Sequence, residues 1–148
     1  MNARAPRRST TSLSRHDARQ RALEVLYEAD VRRQDIGDTL QRVTADVSAA
    51  PLDDFARELV RGVADHIDEL DEVIGRHARD WTVRRMPVVD RNVLRLATFE
   101  LLFHSATPPA VVIDEAVELA KALSTDDSPR YVNGVLSAIL RAEVAPGG

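Results

Sequence analysis

The run from Val88 to His104, VVDRNVLRLATFELLFH, limits what this chain can fold into more than any other stretch. Stepped at 100° per residue, it carries apolar side chains on nearly every side. Val89, Val93, Leu96, Ala97, Leu101 and Phe103 cover one broad arc, and Phe99 and Leu102 fall on other flanks. Only Arg91, Arg95 and Thr98 make a polar stripe. A helix apolar around most of its circumference must be covered on several sides. Pro87 just before it suits a helix start. The run therefore predicts a central helix with others packed around it.

The neighbouring segments supply such helices. Ser14 and Asp17 resemble a capping box ahead of a first helix over about Arg15 to Arg33, with an apolar stripe of Ala18, Ala22, Val25, Leu26 and Ala29. Arg15 and Arg19 continue that meridian toward the N-terminus, so this end is expected to overhang the core with both cations exposed. Residues 35–50 predict a short helix through Leu40, Val43 and Val47. Pro51 is expected to open a longer apolar run to Ile74, broken between Gly62 and Asp68. Trp81 to Met86 reads as a linker. Pro108 and Pro109 start an amphipathic helix, and Ser128 as N-cap with Pro129 at the first position starts the last one. No strand alternation occurs. The sum is an all-α domain of six or seven helices over 14–143, with a flexible arm at 1–13 and a disordered tail at 144–148.

Charge sharpens this picture. Through Arg21 the chain has six arginines and one acid, a net +5, whereas the whole carries −4, so the rest carries −9. The basic arm reads either as the contact for an anionic partner or as a solvated tail. The chain has no cysteine, which excludes disulfides and thiolate metal sites. It has no signal-peptide h-region and no apolar run near the ~20 residues that span a bilayer, so a soluble, cytoplasmic protein is expected.

Enzyme motifs are largely absent: no Gly-rich phosphate loop, no His-Glu-x-x-His, no nucleophile elbow. His66 and His77 are not spaced as a ligand pair, and Asp126-Asp127 lacks the rest of a calcium loop. No cofactor or metal is expected. Three features remain. Glu100 points into the apolar arc and needs a partner there. Gly134 within the last helix marks either close approach of another backbone or a tolerated defect. Asp127, Arg130 and Tyr131 beside a helix start read either as a corner that stacks a base and binds phosphate, or as a turn with a core tyrosine.

Four segments occur in order: ALEVLYEAD at 22–30, VVDRNVLRLATFEL at 88–101, VVIDEAVELAK at 111–121 and RYVNGVLSAIL at 130–140. Together they closely resemble the NusB family of bacterial transcription antitermination factors, over roughly 14–141. The resemblance implies about seven helices in two packed sub-bundles around a central helix, and no enzymatic activity. It also implies binding, together with the ribosomal protein NusE, to the boxA RNA of ribosomal RNA leader transcripts, in support of processive elongation by RNA polymerase with other Nus factors. The family's RNA-contacting positions fall on Arg15, Arg19, Asp127, Ser128, Arg130 and Tyr131, and its NusE-facing positions on Tyr27 and Asp90. Tyr27 lies off the apolar stripe, and Asp90 is expected to be exposed in the first turn of the central helix, where an acid is favoured. His16-Asp17 interrupts the basic run that the family often has at its first helix. The family includes monomers and dimers, which leaves a homodimer open. A similar domain also forms the N-terminal part of some RNA cytosine methyltransferases; with 148 residues, such an activity would need a separate catalytic subunit.

Overall fold

The Oγ of Ser14 accepts a hydrogen bond from the Asp17 amide at 3.0 Å and starts helix α1, Arg15–Arg32, as the capping pattern predicts. The computed structural model describes residues 14–144. Both the arm expected at 1–13 and the tail beyond Val144 lie outside them. Arg33 ends α1 in the left-handed region, at φ 54°, with its amide turned back to the carbonyls of Ala29 and Asp30. Asp35 then caps α2, Ile36–Ala45, by accepting from the Asp38 amide at 3.0 Å.

Pro51 does not open the next helix. Helix α3 is Asp54–Asp65, and the side chain of Asp53 accepts from the Ala56 amide at 2.8 Å. That carboxylate satisfies an otherwise orphan donor, which a proline at Pro51 could not do, and it moves the start three residues on. The long apolar run breaks at His66, within the expected interval, and α4 follows at Ile67–His77. The linker holds a single 3₁₀ turn, Val83–Arg85, before α5, Val88–Phe103. Helices α6, Pro109–Leu123, and α7, Ser128–Glu143, complete the described residues, among which there is no strand.

These helices form two compact units divided between Ala64 and Asp65. In the first, α1 packs on α2, and Arg42 at the end of α2 pairs with Glu28 of α1. Hydrogen bonding from Arg42, assisted by Arg32, holds the Glu28 carboxyl below its ordinary pKa. In the second unit, α5 packs against α4, α6 and α7. Ten of its sixteen residues are buried, more than in any other described helix, so the central-helix expectation holds.

The buried set on α5 includes Asp90, Asn92, Thr98 and Glu100. Thr98 falls on the polar stripe of the sequence, yet it is fully buried. Glu100 is inside, as expected, and is not left without a partner. Arg95 of the stripe donates Nε and Nη2 to the two carboxylate oxygens of Asp71 on α4 at 2.7 and 2.8 Å.

Candidate functional site

The turn Ser124–Ser128 leads from α6 into α7, and it decides what surface the start of α7 presents. Ser128 does not cap its helix; Asp127 occupies that position, with no side-chain capping bond. Instead Ser128 faces inward and is buried. Its Oγ donates to a carboxylate oxygen of Asp90 at 2.9 Å and accepts from the Thr125 amide at 3.2 Å. Ser124 donates to the other oxygen of Asp90.

Asp90 is thus 1 % exposed, not exposed as expected, because two serine hydroxyls take the place of water around it. An acid in the first turn of a helix is favoured by the helix dipole, and with two donors it can also be buried. Asp90 and Ser128 therefore support the turn in this arrangement.

Outside this knot, Asp127 and Arg130 are exposed. Tyr131 is half-buried, with its ring centroid 5.5 Å from that of Trp81 and the planes 58° apart. Its phenol pKa is raised, first by burial and then by the negative charges of Asp80 and Asp90, so it stays protonated and neutral. Its hydroxyl is buried without a hydrogen-bond partner among the described residues. A groove of about 770 Å³ runs along this face, lined by Arg79, Trp81, Arg130, Tyr131, Gly134 and Arg141 among others. A Cβ added at Gly134 would meet nothing within 4 Å, so no other backbone comes close to it among the described residues.

In the first unit, Arg15 and Arg19 both address the ring of Phe55, their guanidinium carbons 3.9 and 5.2 Å from its centroid. Arg15 is exposed, but Arg19 is only 3 % exposed, which corrects the expectation that both cations overhang the core. The aliphatic stem of Arg19 continues the apolar stripe, and the Phe55 face receives its head. Tyr27 is 43 % exposed and lies off the buried stripe as expected, with Val31 one turn further at 53 %.

The family model of the NusB family matches residues 16–141. The chain belongs to the NusB family. It is 52 % identical over 127 residues to transcription antitermination protein NusB of Saccharopolyspora erythraea, covering 85 % of this chain and 86 % of that one. It is 48 % identical over 134 residues to NusB of Bifidobacterium longum subsp. infantis, covering 90 % and 72 %. Among solved structures, T. maritima NusB superposes with a TM-score of 0.77 at 38 % identity, covering 90 % of this chain and 94 % of that one. A crystal structure of the antitermination factors NusB and NusE in complex with dsRNA gives 0.73 at 34 % identity, covering 86 % and 96 %.

NusB proteins are transcription antitermination factors, not enzymes, and this membership answers the methyltransferase alternative. Among the described residues, no helix is long and apolar enough to cross a membrane. Of the positions carried over from the NusB resemblance, the structure brings Asp90, Asp127, Ser128, Arg130 and Tyr131 together in the second unit. Arg15, Arg19 and Tyr27 lie on α1 in the first. Sequence reasoning missed Arg79, Trp81 and Arg141, which line the same groove. The available signal was an isolated tryptophan in a linker, preceded by Arg79 and Asp80, where no helical period gives it a core position.

Proposed function

We propose that this chain is a transcription antitermination factor that binds the boxA RNA of ribosomal RNA leader transcripts together with NusE, and that the complex joins RNA polymerase and other Nus factors to keep elongation processive. The observation that carries this reading is the groove at the start of α7, where the exposed guanidinium of Arg130 flanks the half-buried ring of Tyr131. A cation beside an aromatic face suits an unpaired base and its phosphate. The related structure of NusB and NusE with dsRNA supports RNA and NusE as the partners.

Within this reading Arg130, Tyr131 and Asp127 contact RNA, and Arg15 adds phosphate contacts from α1. Arg19 orients the α1 end by its seat on Phe55. The exposed pair Tyr27 and Val31, one turn apart, is the NusE-facing patch. Asp90 and Ser128 contribute by holding the Ser124–Ser128 turn in shape.

The test is an electrophoretic shift of labelled boxA RNA with this protein, with NusE and with both. The expected result is a ternary complex far tighter than either binary one, weakened by Arg130→Ala and, through NusE recruitment, by Tyr27→Ala. No shift with both proteins present, or equal shifts for boxA and a scrambled RNA, would overturn the reading.

A further inference from the structure

Trp81 is the single tryptophan of the chain, and it is not in the core. Tryptophan is ordinarily highly buried, because its ring offers more apolar area than almost any other side chain. Here it keeps 44 % of its surface exposed. Its position is nonetheless fixed. The 3₁₀ turn that follows is tied to α5 by Arg91, whose Nη1 donates to the carbonyls of Val83 and Arg84 at 3.1 Å each. Met86 anchors the end of the same segment and is 3 % exposed.

Trp81 lines two concavities. One is the groove at the start of α7. The other, about 720 Å³, is lined by Asp80, Trp81, Thr82, Arg85 and Pro87. The residue is therefore a wall common to both. Its ring meets that of Tyr131 at a tilt, not face to face, so the two aromatics do not stack fully on one another.

The charges on either side fit a polyanion that also carries hydrogen-bond donors. Arg79, Arg130 and Arg141 lie along the first groove and Arg85 along the second. Asp80 and Asp127 offer acceptors on the rim, suited to the amino groups of bases, while the Asp90 carboxylate is already taken by serine hydroxyls. The aliphatic residues of the first groove are Val135 and Ala138, and its other apolar surface comes from the rings of Trp81 and Tyr131, which suit the flat face of a base.

We propose that Trp81 is a second stacking platform for single-stranded RNA, beside Tyr131, with a base held on the part of the indole that Tyr131 leaves open, toward Arg85. The proposal rests on the RNA-binding reading above and adds a residue and a geometry to it. Aromatic stacking tolerates any base, whereas the arginines between platforms track the backbone.

The experiment labels this chain alone with 5-fluorotryptophan, so that one fluorine resonance reports Trp81 whatever NusE contains. With NusE present, a boxA RNA of about a dozen nucleotides is expected to move that resonance. The same RNA with abasic nucleotides in place of its bases should leave it near its free position. Trp81→Ala should lower RNA affinity by roughly 5- to 150-fold, and Trp81→Phe should restore most of it. The fluorine measurement needs no variant, so a Trp81→Ala chain that folds poorly does not decide the outcome. A resonance unmoved at saturating RNA overturns the proposal. If RNA still binds and is lost on Arg130→Ala, the RNA-binding reading survives that result; if no RNA binds at all, both fall.

Discussion

Ser128, in the first turn of α7, donates its hydroxyl to the buried carboxylate of Asp90, in the first turn of α5, across 2.9 Å. Ser124 donates to the same carboxylate from the end of α6. Three helix ends thus meet at one charge. Removing the carboxylate takes the charged acceptor from both hydroxyls, which keep only each other and Thr125 as partners, and hydrogen bonds to a charged group contribute about 1.5–3 kcal/mol. Asp90→Ala is expected to lower the unfolding free energy by about 3 kcal/mol and Ser128→Ala by about 1.5 kcal/mol. Asp90→Lys should fail to reach the native fold. Urea melts followed by circular dichroism check this; a wild-type midpoint for Asp90→Ala would refute the structural role.

Arg15 and Arg19 share one aromatic ring but differ in exposure, so their single substitutions should separate folding from binding. Arg19→Ala removes a buried stem and a desolvated cation–π contact and should cost about 2 kcal/mol of stability. Arg15→Ala should cost at most about 1 kcal/mol. Its effect belongs in RNA binding, where the salt slope should flatten by about 0.7 per lost phosphate contact on a single strand. Thermal melts and binding titrations from low to moderate salt measure the two effects. An Arg15→Ala chain with the wild-type salt slope would remove α1 from the RNA surface.

The same residues mark how far the sequence could be read. The all-round apolar character of 88–104 required a covered helix, and the caps at Ser14 and Asp35 were visible because they act within three residues. Arg19 could be seen on the apolar meridian, but its seat on Phe55 could not, since nothing local links the two. The burial of Asp90 depends on serines 34 and 38 positions away, and a first-turn acid reads equally well as exposed. Arg130 and Tyr131 were legible through the family resemblance. Trp81 was not, because it sits in a linker without periodicity and joins the groove only through the packing of α4, α5 and α7.

Glu143, at the end of α7, is held by the end of α4. Arg76 donates to it twice, at 3.1 Å each, and His77 Nε2 lies 2.9 Å from the same carboxylate. The hydrogen bonds from His77 and then Arg76 lower its pKa below the ordinary 4.5. A carboxyl whose folded pKa lies below its unfolded value adds stability that is complete above about pH 4.5 and is lost as pH falls through the folded value. Glu143→Gln should therefore melt below wild type at neutral pH, and the gap should close as acid is added. A gap that stays constant from about pH 7 to about pH 3 would show that ionisation of this carboxyl contributes nothing.

Gly134 allows stability and binding to be set against each other at one position. It lies within α7, where glycine is about 1 kcal/mol less favourable than alanine, and a Cβ there would meet nothing within 4 Å. No packing reason inside the described chain explains the glycine, yet it lies in the lining of the groove beside Arg130 and Tyr131. If RNA reaches that floor, the missing methyl is where its atoms approach the helix backbone. Gly134→Ala should then raise the unfolding free energy of the free protein by about 1 kcal/mol and weaken boxA RNA binding in the same preparation. Gly134→Ser should weaken binding as well, with less gain in stability, because serine is a poorer helix former than alanine. A stabilised alanine variant with unchanged RNA affinity would place the RNA elsewhere in the groove, against Trp81 and Arg130 but clear of the α7 backbone.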